Sequence, residues 1–312
     1  MGFKLIPTII SVSLTLIIWF LIPIPQDVSA NAWLLFAMFI GVISAIIGKA
    51  MPIGAISIIA IALVAITRVT ADNPSDAIKD ALSGFANPLI WLIGISIMIS
   101  KGLQKTGLGA RPGYYFIAVW GKRTIGLGYS LAFSELILAP VTPSNTARGG
   151  GIIHPIVRSI ATSFDSDPEK GTEGKIGKYL ALVNYHSNPI TSAMFITATA
   201  PNPLVVELIA KATNSQIHLS WTTWALAMVL PGVVALAFMP IALYFMYPPE
   251  IKKTPNAAQF AKDRLQEMGP ITLHEMIMLA VFGILLLLWA GIPAMLLGDM
   301  WTLDPTTTAF IG

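Results

Sequence analysis

Cysteine is absent from the 312 residues, which excludes disulfides, thiolate metal sites and a thiol nucleophile. Charge is scarce as well: 11% of the chain is Asp, Glu, Lys or Arg, against roughly a quarter in a soluble domain. Long polar stretches are missing too. The longest, 165–178 and 248–269, are too short to bury a core, so no soluble domain is expected. Apolar residues make up 55% of the chain and gather in windows at 5–24, 32–48, 53–66, 88–100, 222–247 and 271–290. These windows predict an all-α polytopic membrane protein. Those at 53–66 and 88–100 are short, so their helices are expected to extend into the flanks. Two more segments, 125–160 and 179–210, are long enough to cross but are interrupted by Pro, Gly, Asn and Thr.

Lys4, an apolar run and Ala30-Asn31-Ala32 imitate a signal peptide. The run is too long for a signal core and further spans follow at once, so it reads as a first span. The net charge of +3 says less than where the charges lie. Cytoplasmic loops carry the excess of Lys and Arg. With the N-terminus inside, Lys4, Lys49, Lys101, Lys105, Arg111, Lys122, Arg123, Lys170, Lys175, Lys178, Lys252, Lys253, Lys262 and Arg264 fall on the cytoplasmic side. Arg68, Lys79 and Lys211 fall opposite, together with Asp27, Asp72, Asp76, Asp80, Asp299 and Asp304. That bias requires 125–160 to leave and re-enter on one side. A re-entrant hairpin entered from the cytoplasm is therefore expected, in a multi-pass protein of the cell membrane.

The tip of this hairpin is the polar knot A-P-V-T-P-S-N-T-A-R-G-G-G at 139–151. Pro140 and Pro143 stop one helix, and Ser144, Asn145 and Thr146 are residues that cap the next. In lipid, irregular backbone persists only where protein or a ligand cavity covers it. A helix N-terminus at such a tip favours an anion, to which Asn145 and Thr146 add directed donors. A turn capped for its own stability is the plainer reading. The segment 179–210 repeats the device. Asn184, His186, Ser187, Asn188 and Pro189 precede an apolar stretch, then T-A-T-A-P-N-P follows at 197–203. Thr197 and Thr199 belong to an unwound middle, with Asn202 and Pro203 as cap and first turn of the next helix.

Arg148 is the boldest residue, since intramembrane charges usually line substrate or ion paths. It is a candidate to grip a carboxylate, against a simple buried salt bridge. For Glu135, pairing with His154 at similar depth and a neutral acid bonded to a hydroxyl or carbonyl both stay open. His186 and His218 lack metal-ligand spacing, and no nucleophile with a nearby base supports an enzyme. No cofactor, metal or nucleic-acid partner is expected. The stretch 248–269 reads either as an amphipathic helix or as a solvated linker.

P-S-N-T-A at 143–147, followed some fifty residues later by T-A-P-N at 199–202, resembles the divalent anion:sodium symporter family. The likeness is strongest to its bacterial branch of citrate/succinate, tartrate/succinate and 2-oxoglutarate/malate exchangers. It covers the whole chain, which looks like the N-terminal two-thirds of such a protein. The resemblance implies an inverted-repeat elevator transporter that carries di- or tricarboxylates and dimerises through its scaffold. Residues 1–124 would be scaffold helices, 125–160 the hairpin, 161–178 a cytoplasmic loop, and 179–247 a broken helix with the next span. A linker at 248–270 and the start of a second repeat at 271–312 would follow. Asn145 and Thr146 match carboxylate ligands, Ser144 and Asn145 match sodium-binding positions, and Thr199 is expected at the carboxylate. Two departures stand out. Ala198 replaces a glycine whose carbonyl helps hold sodium, and Arg148 stands where sodium-coupled relatives carry a small or apolar residue. A fixed cation in place of sodium implies exchange, on the argument that an unpaired buried Arg needs the substrate carboxylate. Sodium-coupled dicarboxylate symport is the alternative.

Overall fold

The computed structural model describes residues 2–217 and 219–312, and the chain divides into two compact units, one up to Ile90 and one from Trp91 to Gly312. His218 lies outside the described residues, as does the side chain of Asp299. Among the described residues the protein is all helical, with no strand.

In the first unit α1 (Leu5–Leu21) and α2 (Ala30–Ile47) pack as an antiparallel pair. Lipid tails are as apolar as leucine, so such pairs rely on close approach of small residues. Ser11, Ala37, Gly41 and Ala45 are buried here. A Cβ on Gly41 would stand 1.9 Å from Thr15 Oγ1, and Ser11 Oγ donates to the Gly41 carbonyl at 2.5 Å. α3 (Ile53–Thr67) follows Pro52 and stops where Arg68 turns left-handed (φ 53°). The expected extension of this short span therefore amounts to one residue beyond 66. α4 (Pro74–Ala86) starts on Asn73, whose side chain accepts from Ser75 N, with Pro74 in the first turn.

α5 (Pro88–Thr106) does run well past its apolar window, and most of it belongs to the second unit. α6 (Ala110–Trp120), α7 (Thr124–Leu138), α8 (His154–Ser163), α9 (Gly177–Met194), α10 (Pro201–Ala212) and α11 (Trp221–Met246) follow. α7 is the centre of this unit, packed by α6, α9 and α11. Gly128 lets Tyr179 cross it: a Cβ there would meet the Tyr179 hydroxyl at 2.3 Å. Tyr179 Oη donates to Pro240 O at 3.1 Å and Tyr129 Oη to Ala237 O at 2.5 Å, so both tyrosines tether α11. α2, residues 124–141 and α11 are each long and apolar enough to cross a membrane, as are α4 and α5 taken as one broken span. Exposed Phe20, Phe39, Leu226 and Phe238 are the side chains a lipid-facing surface requires.

The segment after α11 is a strap. Glu250 N and Ile251 N donate to Gly174 O and Lys175 O, and Thr254 N and Oγ1 donate to Lys122 O and Gly121 O. α12 (Pro255–Glu267) then lays buried Ala257, Ala258 and Ala261 against α6, so the helical reading of this stretch is the one found. Arg111 on α6 fastens its end. It donates to Gly269 O (3.0 Å), Met268 O and Pro270 O (3.2 Å each), and grips Glu275 bidentately at 2.5 and 3.0 Å. Glu275 also forms the capping box with Thr272 that opens α13 (Leu273–Trp289). The short α14 (Ile292–Leu297) and α15 (Pro305–Ile311) end the chain.

Candidate functional site

α7 ends at Leu138, a tight turn over Ala139–Val141 follows, and Thr142 is extended. The return limb opens as a π-helix over Thr146–Ile153 before α8 begins. Three consecutive glycines allow this wide turn to lie close to its neighbours. A Cβ on Gly149 would stand 2.7 Å from Asn188 Nδ2, and one on Gly151 2.7 Å from Gln104 Nε2. Carbonyls that leave the regular helical ladder need other donors. Asn188 Nδ2 serves Asn145 O (2.9 Å), Gln104 Nε2 serves Ala147 O (3.3 Å) and Asn184 Nδ2 serves Gly149 O (3.2 Å).

Ser144 and Asn145 do cap the return limb. Ser144 Oγ accepts from Ala147 N at 3.2 Å and Asn145 Oδ1 from Thr146 N at 2.8 Å. The tip is left with the Asn145 amide nitrogen and the Ser144 hydroxyl as donors for a guest, while the Thr146 hydroxyl donates to Asn145 Oδ1 at 3.5 Å. Ser144 and Asn145 are half-buried and Thr146 is exposed.

The second break lies where the sequence put it. α9 ends at Met194, Ile196–Ala198 form one tight turn, and Thr199 is extended and half-buried. Thr197 Oγ1 donates to Pro140 O at 2.6 Å and accepts from Trp221 Nε1 at 3.1 Å. The role expected of Asn202 is corrected: α10 already starts at Pro201, with Ala200 before it. Asn202 Nδ2 instead reaches back to the last carbonyls of α9, Ser192 O (2.8 Å) and Phe195 O (2.9 Å).

Arg148 sits between the two breaks with its side chain 0% exposed, like that of its partner Glu135. Its five donors are all taken. Nε donates to Glu135 Oε1 (3.1 Å), Nη1 to Thr142 O (2.8 Å) and Ala198 O (3.1 Å), and Nη2 to Ser192 Oγ (2.8 Å) and Thr191 Oγ1 (3.4 Å). A guanidinium carries five such donors in one plane, so this residue has none left for a carboxylate guest in this conformation. It holds the hairpin and the broken helix together instead.

Two expectations change as a result. Glu135 pairs with Arg148 and with Asn188 Nδ2, not with His154, which is exposed. Equal counting from the tip matched Glu135 with His154, but 139–143 is a turn and an extended step rather than helix, and the Glu135 carboxylate meets Arg148, four residues past Ser144. Nor is Arg148 an unpaired charge waiting for substrate, since Glu135 neutralises it where it is buried. Thr191, Ser192, Thr142 and Gln104 were not singled out by sequence. The signal for the first two lies in α9, where Asn184, Asn188, Thr191 and Ser192 share one face at helical spacing.

An all-helical chain with several long apolar helices, a hairpin and a broken helix laced through a buried ion pair defines a polytopic membrane protein. The profile described as "Sodium:sulfate symporter transmembrane region" matches residues 3–312, and the chain belongs to this family, that of the divalent anion:sodium symporters. It is 48% identical to the "Putative malate transporter YflS" of Bacillus subtilis (strain 168), over 99% of this chain and 62% of that protein. It is 39% identical to "Dicarboxylate transporter 1, chloroplastic" of Spinacia oleracea, over 100% of this chain and 52% of that protein. Identity to the "L-tartrate/succinate antiporter" of Escherichia coli (strain UTI89 / UPEC) is 37%, over 86% of this chain and 57% of that protein. The chain thus spans little more than half the length of such relatives.

Proposed function

We propose that this chain belongs to a carrier that exchanges small di- or tricarboxylates such as malate, succinate, tartrate, citrate or 2-oxoglutarate. The observation that carries the reading is the position of Arg148. Its Nη1 holds Thr142 O and Ala198 O together, carbonyls of the hairpin and of the broken helix. In sodium-coupled relatives a cation is expected to perform that task, with the carbonyl at position 198 among its ligands. A tethered guanidinium does so permanently, which removes the need for sodium at this point. Asn145, Thr146 and Thr199, with Ser144 beside them, are the proposed carboxylate ligands. Arg148 supports them from behind without touching substrate.

The larger frame belongs to the same proposal. Residues 1–124 serve as scaffold and dimer contact, and 125–160 with 179–247 form the moving body of an elevator. The loop 161–178 and the strap 248–270 lie in the cytoplasm, the N-terminus is inside the cell membrane, and 271–312 opens a second, inverted repeat. Names of relatives support carboxylate cargo and, in one case, antiport. Purified protein in liposomes tests it. Labelled succinate should enter only vesicles loaded with a dicarboxylate, equally well in sodium or choline medium. Sodium-driven uptake into empty vesicles would overturn exchange in favour of symport, and unchanged exchange by a folded Arg148→Ser protein would overturn the role given to Arg148.

A further inference from the structure

Between α1 and α2 lies a groove of about 420 Å³. Pro7, Ile10 and Leu14 of α1 face Ile40, Ile43 and Ile47 of α2 across it. From Pro7 to Leu14 the helix rises about 10 Å, which falls within one leaflet of a hydrocarbon core about 30 Å thick. Gly48 forms its end, where a Cβ would touch Pro7 at 3.0 Å. Just beyond, the backbone closes the mouth: Lys4 N donates to Ala50 O at 2.8 Å. That bond joins the chain just before Pro7 to the residue after Lys49, and the Lys4 and Lys49 side chains are both exposed at this end.

Charge in this unit is strongly sorted. Its carboxylates, Asp27, Asp72, Asp76 and Asp80, follow α1 or α3 in the chain, away from the start of α1 and the end of α2. Among the described residues, neither Lys4 nor Lys49 is in an ion pair. Basic residues at the end of an apolar groove between membrane helices suit an anionic lipid, with the acyl chain in the groove and the phosphate at the ammonium groups.

We infer that the α1/α2 groove is a binding site for an anionic glycerophospholipid, held by Lys4 and Lys49. The inference is independent of what the protein carries. Lipid is the occupant chosen because two exposed ammonium groups beside the end of an apolar groove match a phosphate joined to an acyl chain.

The test is native mass spectrometry of the purified protein in detergent, titrated with dioleoyl phosphatidylglycerol or dioleoyl phosphatidylcholine. The wild type should retain the phosphatidylglycerol in preference, and each of Lys4→Gln and Lys49→Gln should weaken that preference by about fivefold. Ser44→Phe, which fills the groove but leaves both lysines, should reduce retention of both lipids. Its thermal unfolding midpoint serves as the control for folding. Equal retention of the two lipids by the wild type would overturn the site, as would a preference unchanged by the lysine substitutions. So would retention of neither lipid, the result expected if protein covers the groove. Displacement of phosphatidylglycerol by inorganic phosphate would mark a free-anion site and also overturn it.

Discussion

Asn188 shows how little room the tip allows. Its amide nitrogen bonds Glu135 and the carbonyl of Asn145, and it stands 2.7 Å from where a Cβ on Gly149 would be. Gly149→Ala would push that amide away and break both bonds, one of them to a charged group. Losing such a bond costs roughly 1.5 kcal/mol or more, so substrate affinity should fall about tenfold. Gly150 offers the internal control, because a Cβ there meets nothing within 4 Å. Gly150→Ala should leave affinity unchanged and stabilise the fold by about 0.5 kcal/mol. Isothermal titration with succinate, alongside thermal unfolding, separates the two. Residue by residue, the sequence was legible where local chemistry decides. Ser144 and Asn145 cap as their side chains require. It misled where a long side chain chooses among distant partners: Arg148 takes acceptors on α9 and beyond it, and Glu135 follows it there rather than His154.

Among elements, the breaks were easier to read than the packing. Pro140, Pro143 and Pro201 interrupt apolar runs visibly, and both interruptions occur where the prolines stand. The π-helix over Thr146–Ile153 was not foreseen, because Gly-Gly-Gly permits several backbone paths and neighbours supplied by α5 and α9 select one. The strap is a similar case. Its charges suggested either a surface helix or a linker, and only the alanine face against α6 decides. The Arg111–Glu275 clamp is its strongest fastening and gives a direct test. Glu275→Ala removes both the capping box and a bidentate charged contact, about 1 kcal/mol for the first and more for the second. Local opening at Lys252, Lys253, Lys262 and Arg264 should then rise, with trypsin cutting the strap roughly tenfold faster than in the wild type. An unchanged cleavage rate would mean the clamp is not what holds the strap.

At the scale of the whole molecule, composition alone was enough for the class: few charges and repeated apolar windows give a helical membrane protein. Orientation rests on the uneven placement of Lys and Arg, a signal about loops that no contact within the fold supplies. The absence of cysteine makes that orientation easy to measure, since a single introduced thiol is the only one present. Glu173→Cys should react with a membrane-impermeant maleimide only when the cytoplasmic side is opened, and Asn214→Cys should react in intact cells. Both positions are exposed. Reversal of that pattern would invert the protein.

One consequence of the Arg148 arrangement reaches beyond the protein. A sodium ion dissociates and carries the energy of its gradient with it, whereas a guanidinium on its own backbone cannot leave. Were exchange the mode, as proposed, a swap of two diacids of equal charge would ignore ion gradients, and its direction would follow the ratio of the two acids' own gradients. A cell using it would gain one acid only by surrendering another, and the swap would reverse when that ratio inverts.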